Sequence, residues 1–166
     1  MTSFPAQTRT SLLRSTAHAF CTALIAPPPP NELLSTYFTH SPSITEHGPS
    51  WATARLPFLG KTFAGREACG EYFNVLSGVL EMHLPDDAFP GPAGFIVDAE
   101  AGMVSVVGKG HFVSTKTGKG WDEQFIYRLS GFDAEGKIGH WEIWADPLSA
   151  WDAVGSEEPN HKRSVE

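Results

Sequence analysis

Residues 94–146 read GFIVDAEAGMVSVVGKGHFVSTKTGKGWDEQFIYRLSGFDAEGKIGHWEIWAD. Apolar and polar residues alternate through most of this stretch, which is the period of a strand with one buried face. The alternation breaks at three places rich in turn residues: Asp98-Ala99-Glu100-Ala101-Gly102, Lys116-Thr117-Gly118-Lys119-Gly120 and Asp133-Ala134-Glu135-Gly136. Short connections of that composition join neighbouring strands as hairpins. The stretch therefore predicts four strands, at about 94–98, 103–115, 120–131 and 137–146, in an antiparallel meander. Gly108 and Gly110 fall inside a strand and predict a bulge or bend there.

Upstream the period is helical. Leu12, Leu13, Ala17, Phe20, Cys21, Leu24 and Ile25 form one stripe of a helix at about 11–26. Pro27 to Pro30 stop it, and Asn31 predicts the cap of a short second helix to about Phe38. Ser43 to His47 reads as a short strand. Residues 48–65 read as a Gly-, Pro- and aromatic-rich loop with room for another short strand. A third helix is predicted from Arg66 to Glu81, with Ala68, Cys69, Tyr72, Phe73, Leu76, Val79 and Leu80 on its stripe. Asp146-Pro147 ends the last strand, and Leu148 to Val154 predicts a further helical turn. A helix stripe and a one-sided sheet must bury each other. The expected fold is α+β, a curved antiparallel sheet wrapped like a cone around three N-terminal helices. It forms a single domain over residues 1–154, with a flexible polar tail at 155–166.

Composition narrows the function classes. The 166 residues are 41% hydrophobic and 19% charged, with a net charge of −7. Such a surface repels phosphate backbones, so no nucleic acid is expected, and no apolar run is long enough for a membrane span. Cys21 and Cys69 lie on separate predicted helices and read as reduced, buried thiols. Residues 1–30 carry Arg9 and Arg14 and no acid. That composition resembles a mitochondrial presequence, but the apolar stripe favours a core helix of a cytoplasmic protein. Five Trp and eleven Phe exceed what the core needs and suggest an aromatic-lined cavity.

Element order and local wording together resemble the nuclear-transport-factor-2-like (NTF2-like) superfamily, and within it the SnoaL-like polyketide cyclase and isomerase branch. The matching phrases are Ile44-Thr45-Glu46-His47-Gly48, Phe63-Ala64-Gly65-Arg66-Glu67 with Tyr72-Phe73, and the closing hairpin from Phe132 to Asp146. Leu56-Pro57-Phe58-Leu59-Gly60 is similar to fungal members. The resemblance implies a pocket between helices and sheet, homodimers through the outer sheet face, and roles ranging from isomerase and dehydratase to binding alone. It puts His47 where the isomerases keep a general base, and Trp141 where the epoxide hydrolases present a Trp. Ile143 stands where those hydrolases have an acid.

Only one of Glu46 and His47 can face the hollow, because successive strand residues point to opposite sides. His47 is the expected proton shuttle, being an imidazole that titrates near neutrality. Tyr127 is expected to hold a developing oxyanion. His111 and Glu123 are further catalytic candidates; the competing readings are a satisfied strand histidine and a solvated strand-start acid. Trp51, Phe58, Tyr72, Phe73, Trp141 and Ile143 are expected to bind the substrate. His140, Glu142 and Trp144 are expected on the outer face, at a dimer contact. His47, His111 and His140 lack ligand spacing, so no metal is expected, and no cofactor. Two functions stay open: a cofactor-independent isomerase, cyclase or dehydratase acting on a hydrophobic oxygenated metabolite, and a non-catalytic ligand-binding or protein-interaction domain.

Overall fold

The computed structural model describes residues 6–155. Helix α1 runs Ala6–Ile25 and α2 Pro30–Tyr37. Strand β1 (Phe38–Glu46) follows directly, then a 3₁₀ turn at Ser50–Ala54 and β2 (Lys61–Ala64). Helix α3 (Arg66–Val79) leads into β3 (Leu80–His83). The second half holds β4 (Ile96–Asp98), β5 (Met103–Ser114), β6 (Gly120–Ser130), β7 (Ile138–Trp144) and α4 (Pro147–Val154). The predicted tail lies outside the described residues, apart from Gly155.

All seven strands join one curved sheet in the order β2-β1-β7-β6-β5-β3, with β4 also paired to β5. The α+β class and the meander β4–β7 stand as the alternation predicted. One pairing departs from antiparallel: β1 runs parallel to β7, with Ile44 opposite Trp141 and Glu46 opposite Ile143. Helix α1 buries Leu13, Ala17, Phe20, Cys21 and Leu24, most of the predicted stripe. Each such side chain contributes ~1.5–3 kcal/mol of apolar transfer. One hydrophobic cluster runs from Leu13 to Val154. Cys21 and Cys69 are buried free thiols, and the Cys69 thiol donates to the carbonyls of Pro42 and Phe63.

Three local expectations are corrected. Asn31 is not the cap of α2; Pro29 flanks the helix and Pro30 opens it, using a ring whose φ is already helical. The third helix ends at Val79, not Glu81, because Leu80 turns extended and pairs with Ser114 on the free edge of β5. Sheet pairing outweighs local helix preference there. Gly108 and Gly110 mark no bulge, since β5 and β6 pair without a break from Val104 to Val113. A Cβ at Gly108 would lie 2.3 Å from the Phe125 ring, so this glycine makes room for an aromatic side chain on the inner face.

Candidate active site

On β1, Ile44 and Glu46 share the inner face and Thr45 the outer, by strand alternation. On β6 the same period brings Glu123, Phe125 and Tyr127 inward, and on β7 Trp141, Ile143 and Ala145. Helix α3 lays Tyr72, Phe73 and Leu76 across from them. Pro147 and Ala150 of α4, with Leu56, Phe58 and Leu59 of the loop before β2, complete the wall. The cavity between these surfaces has a volume of about 70 Å³. That is room for a few waters or one small ring, against the ~300–1,000 Å³ of sites for drug-sized ligands. Half-buried Phe73 and Trp121 and exposed Met82 line it too, and a larger molecule would have to displace them.

The walls are aromatic. The Tyr127 and Trp141 rings meet edge to face at 5.1 Å, Tyr72 and Trp141 at 6.0 Å, and Phe125 stacks on Tyr127 at 4.8 Å. Two glutamate carboxyls converge on this apolar space; Asp146 lines it too, with its carboxyl accepting from the Ser149 backbone N–H and hydroxyl. The Tyr72 hydroxyl donates to Glu46 Oε2 at 3.0 Å, and the other Glu46 oxygen receives no hydrogen bond from the described residues. Burial pushes the Glu46 carboxyl up to about 8; the Tyr72 bond partly opposes this and the Glu123 charge adds to it. Glu123 Oε2 accepts from Trp121 Nε1 at 3.2 Å and from the Asp146 backbone N–H at 3.1 Å. Burial still pushes Glu123 up to about 7. Desolvation drives the Tyr72 and Tyr127 hydroxyls well above their ordinary value. The Tyr127 hydroxyl has no hydrogen-bond partner among the described residues, and the buried Trp141 Nε1–H also lacks one.

The sequence expectations divide around this cavity. Glu123, Tyr127, Phe58, Tyr72, Phe73, Trp141 and Ile143 all line it. His47 does not: it lies on the outer face, 3.0 Å from Glu142 Oε1 and stacked on Trp144 at 4.2 Å. Strand alternation sends Glu46 inward instead, and the buried Ile44 two residues earlier is the signal that marks its face. His111 faces outward on β5, where its Nδ1 pairs with Asp122 at 2.8 Å. Trp51 is 67% exposed and edge-on to Trp151, away from the cavity. His140, Glu142 and Trp144 lie on the outer face. Among the described residues, no group of three His, Cys, Asp or Glu side chains has metal-binding geometry, and no helix is long and apolar enough to cross a membrane.

No family model matches this sequence, and no curated protein does. Solved structures do. The NTF2-like protein of Burkholderia xenovorans LB400 is 14% identical with a TM-score of 0.65, over 88% of this chain and 98% of its own. The fold is NTF2-like. A candidate polyketide cyclase from Xanthomonas campestris is 12% identical with a TM-score of 0.66, covering 89% and 99% of the two chains. PrhC from Penicillium brasilianum is 15% identical with a TM-score of 0.61, covering 87% of each. The NTF2-like cone accounts for the cavity at its wide end, between α3 and the concave sheet.

Proposed function

We propose that the protein is a SnoaL-like acid–base enzyme, working without a cofactor on a hydrophobic oxygenated small molecule in a fungal secondary pathway. One observation carries this reading: Glu46 and Glu123 converge on one aromatic cavity with carboxyls that titrate near neutrality. Two acids pushed toward pH 7 by burial are matched to proton transfer in both directions. Glu46 is the acid, kept neutral by its surroundings and oriented by Tyr72. Glu123 is the base, ionised at slightly lower pH. Tyr127, with its free hydroxyl, donates to the substrate oxygen. The chemistry that fits is isomerisation, cyclisation or dehydration. Support for the setting comes from the Leu56–Gly60 wording and the Penicillium neighbour.

Exchange of α-protons of 2-tetralone in deuterated buffer, followed by proton NMR, tests the acid–base assignment. Glu46→Gln is expected to slow exchange at least ~100-fold, and Glu123→Gln comparably, while His47→Ala leaves it unchanged. Wild-type exchange no faster than in Glu46→Gln would leave the protein a non-catalytic binding domain.

The outer face supports a homodimer. Trp144 stands opposite Ile126 and Ile126 opposite Val107. These three partly exposed apolar residues form one row across three strands, as an interface core requires. Trp144→Arg is expected to shift the dimer to monomer in sedimentation. A wild-type chain that sediments as a monomer at micromolar concentration refutes the contact.

A further inference from the structure

The carboxyls that line the cavity differ from those that form ion pairs with Lys or Arg elsewhere among the described residues. Glu142 has Arg128, Asp87 has Lys109 and Asp152 has Lys119. Glu46 and Glu123 have only phenol, indole and backbone donors. Among the described residues no Lys, Arg or His lines the cavity. The titratable groups facing Glu46 are Tyr72 from α3 and Glu123 and Tyr127 from β6, with Asp146 at the end of β7 and Cys21 of α1 behind Tyr127. Each of them is neutral or negative in every protonation state. Such a site repels an anion and leaves room for one positive charge.

Two further observations point to a ligand. The Tyr127 side chain is 96% buried (4% exposed) and lines the cavity with its hydroxyl unpartnered, so its oxygen is free to accept. The Tyr72, Phe125, Tyr127 and Trp141 rings line the same small space, and a desolvated cation is attracted to an aromatic face within reach.

We infer that the substrate is a hydrophobic molecule bearing a basic nitrogen, bound as an ammonium between Glu46, Glu123 and the Tyr127 oxygen. This rests on the acid–base reading of the same cavity and names its substrate class. The ammonium supplies the counter-ion that the Glu123 carboxylate lacks and donates to the unpaired oxygens of Glu123 and Glu46. Carboxylates and phosphorylated molecules are repelled by the Glu123 charge. A bound cation favours ionised Glu123, so binding releases a proton and strengthens as pH rises through about 7, while Glu46, which titrates higher, keeps the proton it gives as the acid.

The test uses the full chain and three single-ring probes: benzylammonium, benzyl alcohol and benzoate, titrated by calorimetry at pH 6 and pH 8. At pH 8, benzylammonium is expected to bind at least about tenfold more tightly than benzyl alcohol, with benzoate not binding. At pH 6 its affinity should fall by about tenfold or more, while that of the alcohol stays constant. Glu123→Gln should remove the ammonium advantage and spare alcohol binding; Glu123→Asp keeps the charge and the advantage, and serves should the first fail to fold. Equal affinity for ammonium and alcohol, binding of benzoate, or binding of none of the three overturns the inference. Tetralone exchange separates the two claims: exchange that persists without any ammonium preference sinks the substrate class and leaves the acid–base site standing.

Discussion

Glu46 and Glu142 sit on adjacent paired strands and point to opposite sides of the sheet, since Thr45 is the residue opposite Glu142. Both are covered from solvent, at 8% and 6% exposure, but Glu46 lies deep inside the fold and Glu142 lies near the surface. Their chemistry is opposite. Glu142 takes two hydrogen bonds from Arg128, at 2.7 and 3.0 Å, and a third contact from His47. The Arg128 bond, followed by His47, holds its carboxyl below the ordinary range despite burial. Glu46 takes one bond from a phenol and is pushed up to about 8. Depth of burial and the presence of a counter-ion together set the protonation state. The outer carboxylate is a structural tie between β1, β6 and β7. The inner one is a proton store.

The sharpest way to break this comparison is to neutralise each acid in turn. Glu46→Gln is expected to lose at least ~100-fold in tetralone exchange, as above, whereas Glu142→Gln keeps exchange within about threefold. Stability should rank the other way at pH 7. Glu142→Gln strips the charge from the Arg128 and His47 contacts and is expected to cost about 1–2 kcal/mol, discounted because Arg128 is half exposed. That corresponds to a melting temperature lower by roughly 3–8 °C in a domain of this size, read by calorimetry. An activity loss in Glu142→Gln as large as that in Glu46→Gln would mean that the two faces are not separate systems.

Much of this division was legible in the sequence, and its failure is local. Alternation located β4 to β7 and grouped Glu123 with Tyr127 on one face of β6, and Trp141 with Ile143 opposite His140, Glu142 and Trp144 on β7, because those strands are long. The resemblance turned Trp141 inward; Glu123 at its strand start reads as solvated from the sequence alone, and the fold brings it to the cavity. On β1 the pattern is shorter and interrupted by Pro42, with irregular pairing between Phe38 and Ser43. There imidazole chemistry and the family resemblance both point to His47, whereas the phase set by Ile44 points to Glu46. Phase is the stronger physical constraint, because a one-residue slip turns every side chain of a strand over. The Tyr72 bond to Glu46 spans 26 residues between α3 and β1, and no local pattern encodes such a pair. The missing cation in the cavity is equally invisible before the fold decides which charges face inward.

The smallest effect is also the one that separates the two carboxyls without any substrate. In the unfolded chain both titrate at the ordinary glutamate value of about 4.3. Folding raises Glu46, so between that value and about 8 the folded protein holds a proton that the unfolded chain has released. Stability then falls as pH rises through this window and levels off above it. Glu142 is lowered by folding, so its contribution is present at neutral pH and is lost as pH falls below the unfolded value. Glu46→Gln should therefore melt like wild type near pH 4.5 and about 2–5 °C higher at pH 9, since the amide keeps the Tyr72 contact and has no proton to lose. Glu142→Gln should show the reverse slope, with a deficit at pH 7 that closes in acid. Parallel melting curves for the two variants across pH 4–9 would show that both carboxyls see the same environment, and the contrast between the faces would fail.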